Sequence, residues 1–108
     1  MEINYVDLYK DIDFINKELR KSIKQMPRYN RYNEGDRILN LLLDIKVVVK
    51  LACKGRNYNL NLDKLYNKLV ILETLIDECI DDGSLLLKGK FTIAEPRKKL
   101  ISLFNLIP

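Results

Sequence analysis

Histidine is missing altogether from these 108 residues, and only two cysteines are present. Without an imidazole the chain has no side chain whose ordinary pKa lies near neutrality, which removes the usual general base. The Glu-x-x-His ligand pair of di-iron bundles goes with it. Cys53 and Cys79 lack the spacing of a metal knuckle, so both are expected to be buried small apolar residues, and no cofactor is implied. Long uninterrupted hydrophobic runs are also lacking. The longest is broken by Asp44, Lys46 and Lys50, and no apolar stretch follows Met1. A cytoplasmic protein without membrane span or secretory leader is therefore expected. No internal repeat or low-complexity tract is evident. The remaining composition, 47% hydrophobic and 31% charged, suits one folded domain over residues 1–108 with a single core.

What is present is helical periodicity. In the stretch DRILNLLLDIKVVVKLACK, Asp36 to Lys54, a seam of Ile38, Leu41, Ile45, Val48 and Ala52 recurs at steps of three and four. Leu39, Leu42, Leu43, Val47, Val49 and Leu51 widen it around much of the cylinder. A helix this apolar needs cover on more than one side, from partner helices and from a subunit contact or second core layer. The expectation is an all-α four-helix bundle, up-down-up-down because all three connections are short, and oligomeric because of this apolar breadth.

Taken in order, a first helix capped by Asn4 carries the seam Tyr5, Leu8, Ile12, Ile15, Leu19, Met26, blurred at Ser22 and Ile23, and stops at Pro27. PRYNRY, Pro27 to Tyr32, reads as a polar turn, with Asn33 capping a second helix that ends at Gly55. After a loop over Gly55 to Leu60, a third helix starts at Asn61, with Leu60 and Leu65 as a hydrophobic staple, and closes at Gly83. Its seam is Leu62, Leu65, Leu69, Leu72, Ile76, Cys79. Thr92 and Glu95 have capping-box spacing before a fourth helix, which either starts at Pro96 or starts near Lys90 and bends there.

The net charge of +4 conceals blocks of opposite sign. Residues 1–13 carry four acids and one lysine, 17–68 thirteen bases and five acids, 73–82 five acids, and 88–99 five bases and one acid. Such blocks create local fields far larger than the mean, able to hold a polyanion on one side of the protein. Two rows stand out: Lys17, Arg20, Lys21 and Lys24 on the first helix, and Lys46, Lys50 and Lys54 at every fourth residue on the second, with Arg28, Arg31 and Arg37 around its first turn. Dense cations without catalytic geometry suit sequence-tolerant binding of RNA or DNA, although exposed lysine rows are also common as plain solvated faces. Tyr29 and Tyr32 beside Arg28 and Arg31 either stack on bases or pack the corner between the first two helices. The acids Glu73, Asp77, Glu78, Asp81 and Asp82 either hold a hard cation or form a solvated or ion-paired face. Loop oxygens, which such metal cages usually recruit, are not in evidence there. Because they sit where the helix dipole disfavours them, basic partners from a neighbouring helix are expected.

The run KQMPRYNRYNEGDRILNLLLDI, Lys24 to Ile45, resembles the first-to-second helix junction of the bacterial four-helix-bundle family that includes Avd, the accessory variability determinant of diversity-generating retroelements. Pro27, Arg31, Tyr32, Gly35, Arg37 and Ile38 occupy the family's proline, basic-aromatic turn, glycine and Arg-Ile positions. The third helix, NLDKLYNKLVILETLIDECIDDGSL, is similar to the family's leucine-rich third helix, while Pro96 in the fourth departs from its pattern. The resemblance implies a homopentamer that binds nucleic acid and associates with a reverse transcriptase during mutagenic copying of a template RNA, without being an enzyme itself. Five chains at +4 each would carry about +20, favouring a polyanion partner. The same fold group contains proteins encoded within intervening sequences of 23S ribosomal RNA genes, which implies the alternative of a structural or protein-interaction module.

Overall fold

The computed structural model describes residues 4–54 and 62–107, all helix, turn and loop with no strand among them. The loop over Gly55 to Leu60, the terminator Gly55, the cap Asn61 and the Leu60 half of the staple lie outside the described residues. Four long helices are present: α1 (Tyr5–Ile23), α2 (28–53), α3 (Leu62–Asp81) and α4 (Ala94–Phe104). Each described helix packs on its neighbour in sequence, and α4 packs back onto α1, giving a bundle-like fold. Its long axis of 43 Å is close to the length of α2, about 39 Å at 1.5 Å per residue.

Buried residues from all four helices form one hydrophobic cluster. In α1 these are Leu8, Ile12, Ile15, Leu19 and Ile23, the three-and-four rhythm of a stripe facing a core. The Asn4 side chain accepts the Asp7 amide at 3.1 Å, capping the helix as its sequence requires. The helix stops at Ile23, earlier than expected; Gln25 and Met26 donate to Ser22 and Ile23 in tight turns, and Met26 is buried from that turn. Along α2 the buried seam is Ile38, Leu42, Ile45 and Val49, so the expected Leu41, Val48 and Ala52 lie on its half-buried flank. The stripe keeps Ile38 and Ile45 but is rotated toward Leu42 and Val49.

The first turn of α2 also differs from expectation. PRYNRY is helical from Arg28 on: Arg28–Asn30 forms an α-turn, Arg31–Gly35 is π-helical, and Asp36–Cys53 resumes the α-helix. Pro27, extended at φ −50° and ψ 144°, stands just before the helix, where its missing N–H costs nothing. The Asp36 amide reaches back five residues to the Arg31 carbonyl, the signature of one extra residue in the turn. Asn33 is therefore no cap; its side chain donates to the Tyr29 carbonyl at 2.8 Å within the helix.

Gly83 ends α3 in the left-handed region at φ +81°, and the Leu85 amide and Ser84 hydroxyl both return to the Cys79 carbonyl. α4 begins at Ala94, between the two expected starts. Thr92 Oγ1 accepts the Ala94 amide at 3.1 Å, and Pro96 falls within the first turn, where amides have no ladder partner to lose.

Gly35 is a contact point and not a swivel, since its φ is −59°. A Cβ built there would lie 2.9 Å from Ile23 Cγ2 and 3.3 Å from Met26 Sδ. Ile23 is β-branched and buried, so it has little freedom to retreat. Replacing glycine by alanine in a helix ordinarily gains up to about 1 kcal/mol, whereas overpacking costs about 1–3 kcal/mol. Gly35→Ala should lower the denaturation midpoint, and a variant as stable as the parent would refute this close approach.

Candidate nucleic-acid interface

The cationic residues divide by what they touch. On α1, Lys17 Nζ lies 2.9 Å from Asp13 and Lys21 Nζ lies 3.1 Å from Glu18, pairs of an exposed helix face. Lys46 crosses from α2 to the other Asp13 oxygen, also at 2.9 Å. The Asp13 carboxyl is held below its ordinary pKa, chiefly by the hydrogen bond from Lys17 and then by that from Lys46. Lys17 is raised by the same bond. Lys46 and Lys50 also stand over the Tyr9 ring, at 5.7 and 6.0 Å from its centroid. The row Lys46, Lys50, Lys54 is thus uneven, half-buried and paired at its start and exposed at Lys50 and Lys54.

Arg20, Lys24, Arg28, Arg31, Arg37, Lys50 and Lys54 have no carboxylate within 4.0 Å among the described residues. Arg20 borders a groove with Asn16, Asp36, Asn40 and Lys46 between α1 and α2. Lys24, Arg28, Arg31 and Arg37 flank the turn between those helices in the chain, and Lys50 and Lys54 share a groove with Val6, Tyr9 and Lys10 of α1.

At that junction the tyrosines are not packed into the corner. Tyr29 is 77% and Tyr32 60% exposed. The corner is filled instead by Ile23 and Met26 against Gly35. Arg28 and Arg31 place their guanidinium carbons 5.8 and 5.3 Å from the Tyr32 centroid, while no cation or ring lies over Tyr29 among the described residues. The half-buried Arg31 and Glu34 each keep one enclosed polar atom, Nε and Oε2, without a hydrogen-bond partner. Both belong to the π-helical turn, a kind of irregularity that recurs at functional sites.

Sequence reasoning missed a second basic-aromatic segment, Lys88, Lys90 and Phe91 in the loop joining α3 to α4. Phe91 is 53% exposed and adopts φ +57°, a region that bulky side chains rarely enter. Its carbonyl accepts the hydroxyl of buried Ser22 at 2.9 Å, and the Ile93 amide closes the loop on the Leu86 carbonyl at 2.8 Å. Lys90 and Phe91 share a groove with Gln25 and Pro27, and Asn30 donates to Asp82 at 3.4 Å. The loop therefore sits beside the junction. The one legible signal was Ser22, a polar residue on a buried stripe that needed a partner.

The acidic end of α3 meets its expected basic partner at Asp77, 3.3 Å from Arg97, and Asp82 accepts the Ser84 amide. No group of three or more potential metal ligands lies together among the described residues. Cys79 is buried, and burial pushes its thiol pKa up. Cys53, expected to be buried, is exposed because it lies one turn beyond Val49, the last buried seam residue of α2.

No helix among the described residues is long and apolar enough to cross a membrane. No family model, curated protein or solved structure matches this chain significantly.

Asp13 supplies a pH test of the α1–α2 bridge. A carboxyl held below its ordinary pKa stabilises the fold above the ordinary value and loses that contribution as pH falls through the depressed one. Asp13→Asn should therefore lower the melting temperature at pH 7, with the gap to the parent closing as pH drops below about 4. A gap unchanged in acid would refute the bridge.

Proposed function

We propose that this chain is a non-enzymatic, basic, homo-oligomeric four-helix bundle that binds nucleic acid and serves as a cytoplasmic accessory to a reverse transcriptase, as its resemblance to the Avd family implies. The observation that carries the proposal is that Lys24, Arg28, Arg31 and Arg37, close together in the chain around the exposed Tyr29 and Tyr32, have no carboxylate partner among the described residues. A phosphate backbone is the partner such a surface suits, because it rewards several placed cations without asking for a particular geometry. The absence of histidine supports a scaffold more than a catalyst. Contacts between Asp13 and Lys46, Asp11 and Lys99, and Tyr66 and Phe104 support the up-down-up-down arrangement within the bundle.

Binding should show a steep salt dependence. In fluorescence anisotropy with a labelled oligonucleotide, the slope of log affinity against log salt should fall by about 0.7 for each single-strand phosphate contact removed. Replacing Lys24, Arg28, Arg31 and Arg37 together with glutamine should flatten it while helicity is retained. No binding at low salt by the parent protein would defeat the proposal.

Oligomerisation is supported by the outward face of α2, where Leu43, Val47 and Leu51 repeat every fourth residue at 58%, 50% and 38% exposure. Aliphatic side chains in such a row favour removal from water, at about 25 cal/mol per Å². Val47→Lys should shift the mass measured by light scattering toward the monomer, and a parent protein monomeric at high concentration would defeat this part. The alternative, a structural module like the ribosomal intervening-sequence proteins, is favoured by one observation: Lys17, Lys21 and Lys46 are already paired with carboxylates of the same chain.

A further inference from the structure

We propose that the α1–α2 junction and the α3–α4 loop together form a site for single-stranded nucleic acid, with bases stacked on Tyr29, Tyr32 and Phe91 and phosphates met by Arg28, Lys88 and Lys90. This rests on the nucleic-acid reading above and specifies its ligand. Two segments some sixty residues apart in sequence, RYNRY and KGKF, have the same makeup of exposed aromatic rings flanked by cations. The fold brings them to one place, linked by the Asn30–Asp82 hydrogen bond and the groove shared by Pro27, Gln25, Lys90 and Phe91.

Three exposed rings would have no use for a duplex, whose bases already stack on one another. A single strand offers open π-faces, and each base that stacks on an aromatic side chain gains affinity whatever its identity. The rings are also held ready. Tyr32 lies beneath the Arg28 and Arg31 guanidinium groups, so a base arriving there meets cations as well as the ring, and Tyr29 has no cation or ring over it among the described residues. Phe91 is turned outward by a left-handed backbone that the Ser22 hydroxyl fixes from within the bundle. Of the nearby acids, Asp82 is occupied by Asn30 and Ser84, and Glu34 is half-buried. An anionic bilayer is the competing partner, since Leu86 and Leu87 are exposed on the same loop. Against it stand the polar Asn30 and Asn33 among the tyrosines, which a membrane-inserting tip would not carry.

The test compares a labelled oligothymidylate with a DNA hairpin of equal phosphate count, using the full chain and fluorescence anisotropy. Tighter binding of the single strand is expected. Tyr29→Ala and Phe91→Gly should each weaken it about five- to a hundredfold, with the salt slope unchanged, because stacking releases no counterions. Glycine at position 91 accepts the left-handed backbone, so that variant keeps its fold, as circular dichroism would verify. Equal affinity for hairpin and single strand, or parent-like binding by both variants, would overturn the stacking site while leaving nucleic-acid binding intact. Loss of binding to anionic phospholipid vesicles in these variants, with oligothymidylate binding unchanged, would overturn it in favour of a bilayer. No binding to either DNA would defeat the broader reading as well.

Discussion

The close approach at Gly35 is the constraint on which the rest of the molecule depends. Only four residues separate α1 from α2, so the end of one helix and the beginning of the next must nearly touch. A hydrogen atom in place of a side chain lets Ile23 and Met26 seat against the backbone of α2. The extra residue of the π-helical turn then rotates what precedes it, so that Tyr29 and Tyr32 face water while Gly35 faces the core. Had the corner been looser, the tyrosines could have filled it, and the cationic surface would have lost its aromatic component.

Much of the architecture was legible in the chain because its determinants are local. Asn4 and Gly83 act through the backbone of their own turn and do in the structure what their chemistry dictates, whereas Pro27, expected to stop the first helix, stands before the second, the first having ended at Ile23. The apolar rhythm of α1 and α3 likewise predicted their buried faces, since a stripe three or four residues apart can point only one way. α2 was harder to read. Apolar on several sides, it allowed two neighbouring seams, and only its contacts with α1 and α3 select Ile38, Leu42, Ile45 and Val49. Asn33 looked like a cap because an asparagine before an acidic turn often is one, yet the helix had already begun at Arg28.

The candidate interface was less legible, for reasons of distance. Asp13 and Lys46 are thirty-three residues apart, so nothing local revealed that a cation of the second row would be held by the first helix. Phe91 carried no signal as a surface residue; its exposure follows from a backbone conformation that a phenylalanine does not advertise. The basic rows are unevenly available: Lys17, Lys21 and Lys46 are held by carboxylates, whereas, among the described residues, Lys24 and the arginines around the start of α2 have no such partner.

Ser22 illustrates how a buried hydroxyl can govern a surface. Holding a non-glycine residue in the left-handed region costs about 1–3 kcal/mol, which the surrounding contacts must offset as the chain folds. Here that work falls to one hydroxyl–carbonyl bond and the Ile93–Leu86 closure. The backbone that carries the Phe91 ring is thus set from inside the bundle, and in the proposed single-strand site association would not have to freeze the loop anew. On that reading, changes deep in the first helix would alter how fast a complex forms and dissolves without touching anything that contacts it.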